Sequence, residues 1–142
     1  MAAFVKYTPA VEALMEGVNC HTDTWKVALS NTINASDSAF VAGTTDLATG
    51  GGYTAGGNTA TVASSAQSGG TYKLVLNSPT AWTATGPGFT FRYVILYVTD
   101  SLSNKIPVGY WDYTSSIVMN GTNGDTFTVT LDPTNGVFSI AP

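Results

Sequence analysis

Phe89-Thr90-Phe91-Arg92-Tyr93-Val94-Ile95-Leu96-Tyr97-Val98 is the stretch on which the fold turns. It is the strongest strand signal in the chain. Its second half, Tyr93 to Val98, is apolar on both faces, which fits a central strand covered from two sides. Downstream, Ser101 to Lys105 reads as a turn. Ile106 to Tyr113 resumes extended structure, and Pro107 argues for an edge position or a strand start. Thr126 to Leu131 places Phe127, Val129 and Leu131 on one face. Asp132 to Gly136 is a loop, and Val137 to Ile140 is expected to return as the second strand of a terminal hairpin.

Upstream, Thr24 to Ser30 alternates, with Trp25, Val27 and Leu29 together. Thr71 to Leu76 does the same with Tyr72, Leu74 and Leu76 inward. Thr59 to Ser65 is a weaker, small-residue strand, and Ala39 to Ala42 a short edge strand. Thr44 to Gly70 is low in complexity, but Tyr53 and Val62 within it point to an ordered long loop or ribbon. One helix is expected over residues 8–17. Thr8 caps it, Pro9 takes its first position, Gly17 stops it. Val11, Leu14 and Met15 form its apolar stripe, with Glu12 and Glu16 toward water. Met1 to Tyr7 reads as an N-terminal arm. The whole chain, 1–142, is a single mainly β domain, a β-sandwich or jelly-roll-like fold over 24–140 with one short N-terminal helix.

The composition narrows the function. Charged residues are 10% of 142, and the formal net charge is −4. Lys6, Lys26, Lys73, Arg92 and Lys105 are scattered, whereas a phosphate grip clusters its bases. No nucleic-acid partner is expected. Cys20 is the single cysteine, so no disulfide scaffold forms. The apolar run Tyr93 to Val98 is far short of the ~18 residues a spanning helix needs, so no membrane partner is expected. Met1 to Tyr7 lacks the pattern of a signal peptide, and synthesis in a reducing cytoplasm fits.

Reactive chemistry is sparse. His21 is the one histidine and adjoins Cys20. Neighbours in extended structure point to opposite faces, so the two do not make a nucleophile–base pair. One Cys and one His cannot build a zinc site. Asp37, Asp46, Asp100, Asp112, Asp125 and Asp132 sit in or near loops without the spacing of a calcium loop, and read as turn chemistry. The expectation is no catalytic residue, no metal, no cofactor and no enzyme activity. Tyr110, Trp111 and Tyr113 crowd one segment. Such aromatics serve as core, as a protein interface or as a sugar platform. Low surface charge leaves little repulsion between copies and suits dense assembly.

Several segments together resemble a group of small structural proteins of tailed-bacteriophage virions. They are the helix from Val11 to Gly17, the run Thr22 to Thr32, and Gly52-Tyr53-Thr54-Ala55-Gly56-Gly57. Further on come Ala81-Trp82-Thr83, Arg92 to Tyr97, Gly109-Tyr110-Trp111-Asp112-Tyr113, Gly124 to Val129 and Asn135-Gly136-Val137. The resemblance implies a capsid decoration or cement protein. It would sit on the outer capsid surface of the virion after synthesis in the host cytoplasm. Its partners would be the major capsid protein and further copies of itself, as a dimer or trimer. A tail or head–tail junction protein, or a virion-borne module binding host glycans, are the other readings. The interface candidates are Phe4, Val5 and Tyr7 on the arm, and Tyr110, Trp111 and Tyr113. The arm is expected to act as a strap that the folded domain does not need.

Overall fold

The computed structural model describes residues 2–142. In chain order its elements are β1 (Phe4–Lys6), α1 (Ala10–Glu16), β2 (Thr24–Ser30), β3 (Asn58–Thr59), β4 (Val62–Ser68), β5 (Thr71–Leu76), β6 (Trp82–Thr83), β7 (Phe89–Thr99), β8 (Lys105–Met119), β9 (Thr126–Phe127) and β10 (Phe138–Ile140). They form a five-stranded sheet in the order β1-β8-β7-β2-β3, a three-stranded sheet β10-β5-β4, and a two-stranded ladder β6-β9. The fold is a mainly β, antiparallel sandwich with one short helix. Two four-stranded sheets would make a jelly roll; the strands here divide five, three and two.

β7 occupies the centre, paired with β2 on one side and β8 on the other. Val94, Leu96 and Val98 face the sandwich interior with Trp25, Val27, Leu29, Leu74 and Leu76. Ile95 and Tyr97 face the opposite way, into a second cluster with Tyr7, Ala10, Ala28 and Phe40. The doubly apolar half of the strand therefore has a cover on each face. On the second face that cover is loop: Phe40 lies flat on Tyr97, ring centroids 3.8 Å apart. Each such side chain contributes roughly 1.5–3 kcal/mol relative to exposure.

The glycine-rich connection before β3 is ordered by one buried carboxylate. Asp46 accepts the Tyr53 hydroxyl at 2.5 Å and the N–H groups of Gly43 and Gly56 at 2.6 Å each. Tyr53 in turn accepts the Leu29 N–H at 3.1 Å, and Tyr97 donates to the Gly56 carbonyl at 2.7 Å. Gly57 lets the loop lie directly on β2: its φ is +65°, and a Cβ there would stand 2.0 Å from the Val27 carbonyl oxygen.

Several expectations need correction. Thr8 does not cap the helix. Pro9 holds that position without a side-chain hydrogen bond, while the Thr8 N–H goes to the Ala35 carbonyl at 2.8 Å. Gly17 does end the helix, its N–H on the Ala13 carbonyl. The stripe is rotated: Ala10 and Leu14 dock, and Val11 and Met15 are left 53% and 74% exposed. Residues 39–42 form no strand, because Phe40 uses its ring rather than a ladder for docking. Val137 to Ile140 does not close a hairpin with the segment before it; β10 pairs with β5, Phe138 opposite Leu74. Pro107 does sit at a strand start, the third residue of β8, but β8 is not an edge strand, because β1 pairs with Gly109 to Trp111 on its other side.

That last point overturns the free arm. β1 pairs antiparallel with β8, Phe4 opposite Trp111 and Lys6 opposite Gly109. Tyr7 is fully buried in the second cluster, and its N–H reaches the Val108 carbonyl at 3.0 Å. Residues 4–7 belong to the sheet and its core; Met1 lies outside the described residues.

Candidate functional site

The five-stranded sheet is wider than the layer packed on it. At the β1–β8 end its inner face is only partly covered, and a groove of about 550 Å³ opens there. Its floor begins with Phe4 and Trp111, which cross-strand pairing brings to ring centroids 4.8 Å apart. Gly109 makes room for this pair. A Cβ on it would stand 2.1 Å from Phe4 Cζ, so the ring occupies the space a side chain would take. Val94, opposite Trp111 on β7, continues the floor.

Tyr113 reaches the rim because β8 breaks its register. Asp112 pairs with Tyr93 and Ile117 with Phe91, so residues 113–116 bulge out opposite Arg92. Thr114 takes a positive φ of 66°, a costly conformation for a β-branched residue. The Asp112 carboxylate holds the bulge. It accepts Arg92 Nε and Nη2 at 2.8 and 2.9 Å and the Thr114 N–H at 2.7 Å. Hydrogen bonding to Arg92 comes first in holding the Asp112 carboxyl below its ordinary value. Tyr113 then stands edge-on to Phe91 and Phe127, at 6.4 and 6.0 Å.

The far wall is residues 128–131. Side chains there alternate as in a strand, Val129 and Leu131 buried, Thr128 and Thr130 exposed. The main chain does not complete a ladder. Ala84 N–H donates to the Asp125 carbonyl at 2.8 Å, and Leu131 N–H to Ser78 Oγ at 3.0 Å. Antiparallel alternation therefore turns the peptide groups of Thr128 and Thr130 away from residues 78–84. Among the described residues neither has a main-chain hydrogen-bond partner. The groove ends at the Asp132–Gly136 turn, closed by Gly136 N–H on the Asp132 carbonyl at 3.2 Å.

Of the six interface candidates, the structure brings Phe4, Trp111 and Tyr113 together here. Val5 points outward and is exposed. Tyr110 lies on the other face of the sheet, edge-on to Tyr7 at 5.5 Å and to Tyr93 at 6.2 Å. Tyr7 is core rather than a strap anchor. Burial, first, pushes its hydroxyl pKa up, and that hydroxyl has no hydrogen-bond partner among the described residues. Sequence reasoning missed the wall: alternation in Thr126 to Leu131 was legible, but not that the ladder would stop after Phe127.

The reactive residues are quiet. Cys20 is half-buried beside the Tyr72 hydroxyl, and burial, first, raises its thiol pKa, which makes it a poor nucleophile. His21 is exposed. The loop aspartates serve their own turns: Asp100 takes the N–H groups of Leu102 and Asn104, Asp125 that of Asn120, and Asp132 those of Thr134 and Asn135. Among the described residues no three metal-ligating side chains come together, and no helix is long and apolar enough to cross a membrane.

No protein-family model, curated protein or solved structure matches this chain. The groove's own geometry is an apolar floor, an aromatic rim, and one wall on which the peptide groups of Thr128 and Thr130 have no main-chain partner among the described residues.

Proposed function

We propose that the chain is a capsid decoration (cement) protein of a tailed bacteriophage. It binds the outer shell and braces contacts between major capsid subunits. The observation that carries this reading is the groove, which gathers Phe4, Trp111 and Tyr113 into one partly covered apolar site. Aromatic residues in a concave site are typical energetic centres of protein interfaces.

Two further features support it. β4 is a seven-residue edge strand with no charge and no proline, an edge open to pairing with another chain. A surface poor in long charged side chains also loses less entropy when many copies pack closely. The sequence resemblance to phage virion proteins points the same way. The partners are the major capsid protein and further copies of this chain.

The test is the copy number in purified particles of the phage that encodes the chain, by quantitative mass spectrometry against the major shell protein. One copy per shell subunit, or a simple fraction of that, is expected. A handful of copies per particle would move the protein to the tail or head–tail junction. Absence from particles would overturn the virion reading.

A further inference from the structure

We infer that the groove is the seat of an extended peptide segment from a partner polypeptide. The segment pairs main chain to main chain with Thr128 and Thr130 and sets alternate apolar side chains against Phe4 and Trp111. This names the kind of partner and not its source, so it stands or falls apart from the capsid reading.

Three observations meet at one place. The first is an open main-chain edge: residues 128–131 have strand alternation in their side chains, while the peptide groups of Thr128 and Thr130 have no main-chain partner among the described residues. Those two residues present donors and acceptors two positions apart along one edge, the repeat that an added strand reads. The second is the apolar floor beside that edge, where Phe4 and Trp111 are only partly buried. The third is size. About 550 Å³ falls in the range of sites that enclose a ligand.

Charge defines the occupant further. Among the described residues the one ionisable carboxylate on the groove wall is Asp132, and it is turned into its own loop. Oδ1 accepts the N–H groups of Thr134 and Asn135 at 2.7 and 2.8 Å, and Oδ2 accepts the Asn135 amide at 2.9 Å. Among the described residues no lysine or arginine lines the groove. A charged side chain entering it would lose water without gaining a partner. The segment is therefore uncharged over the length it buries, with apolar residues at every second position. Among the described residues the apolar alternating segments are committed elsewhere: β2, β5, β7 and β8 to their own ladders, and the side chains of Val129 and Leu131 to the core. The occupant is accordingly a segment of a partner polypeptide rather than one of these strands.

The test selects displayed random heptapeptides on the intact chain. The expected consensus is uncharged, with apolar residues at alternating positions. The consensus peptide is then made in two backbone N-methylated series, one blocking odd-numbered amides and one blocking even-numbered amides. One series is expected to lose at least tenfold in affinity and the other to stay within about twofold, because an antiparallel edge reads every second peptide group. Trp111→Ala is expected to weaken the unmethylated peptide at least tenfold. Should that variant fail to fold, the N-methyl comparison on the unaltered chain still decides. Failure to enrich any peptide would overturn the inference, as would a consensus without alternation or equal loss in both series. So would tight binding of a glycan at Trp111 in place of peptide, or edge-to-edge dimers of the chain that occlude Thr128 and Thr130.

Discussion

β7 and the segment from Thr126 to Leu131 carry the same kind of message and meet different fates. Both alternate in places, and both bury their apolar side. β7 is paired along both edges and covered on both faces. The later segment buries Val129 and Leu131 but forms a ladder only at Thr126 and Phe127. Side-chain pattern decides which face turns inward. Whether the main chain finds a partner depends on what the rest of the chain brings alongside. At β7 two long strands arrive; beside Thr128 and Thr130 no described residue supplies a main-chain partner, and a groove is left.

The contrast can be broken at its closed end first. Asp46→Ala leaves the Tyr53 hydroxyl and the N–H groups of Gly43 and Gly56 without their acceptor. The expected loss is about 4 kcal/mol in a chemical-denaturation midpoint analysis, since the two buried donors orphaned, the Tyr53 hydroxyl and the Gly56 N–H, cost roughly 1–3 kcal/mol each, while water reaches the Gly43 N–H. A loss under 1 kcal/mol would mean the loop is held by something else.

Leu96→Ala and Val129→Ala compare the two regions directly. Leu96 is fully enclosed, so its truncation is expected to cost about 3 kcal/mol, including the cavity left behind. Val129 lines the groove, where neighbours can relax, and about 1 kcal/mol is expected. Equal costs in urea unfolding would erase the distinction drawn between the two.

Gly109→Ala sharpens it at the groove itself. The new Cβ displaces the Phe4 ring and loosens β1, at an expected cost of about 2 kcal/mol. NMR should show the amide signals of residues 4–6 moving while those of β2 stay in place.

The pH response is the mildest change near neutrality. Burial pushes the Tyr97 hydroxyl from its ordinary 10.0 up to about 12. The folded state prefers the neutral phenol. That contribution is complete below pH 10 and is lost as pH rises toward 12. Asp112 works in the other direction. Its carboxyl is held below 3.8 by Arg92, so its contribution is present above that value and is lost as pH falls through the folded-state pKa. Thermal melting should show a plateau between these limits. A fall in Tm between pH 6 and pH 9 would contradict it.

Much of the frame was legible in the sequence, for stated reasons. A short apolar run rich in β-branched and aromatic residues fits a central strand covered on both faces, so β7 was plain. β2 and β5 showed clean alternation. β1 was not readable, because three residues carry no period and their seat depends on Gly109, over a hundred positions away. The register break in β8 depends on the Arg92–Asp112 pair, which no local pattern announces. Asp46 looked like one turn carboxylate among six; only the fold brings Tyr53 and Gly56 onto it. Three of the six interface candidates reached the groove because they share one sheet face. Tyr110 and Val5 fall on the other by alternation, and Tyr7 passes into the core.

The most direct test of this account is native-state amide hydrogen exchange on the isolated monomer, comparing Val94 to Val98 with Thr128 and Thr130. The account predicts that the β7 amides open only with global unfolding, while Thr128 and Thr130 exchange orders of magnitude faster. Protection of Thr128 and Thr130 equal to that of Leu96 in a verified monomer would contradict it, because the edge would already have its partner.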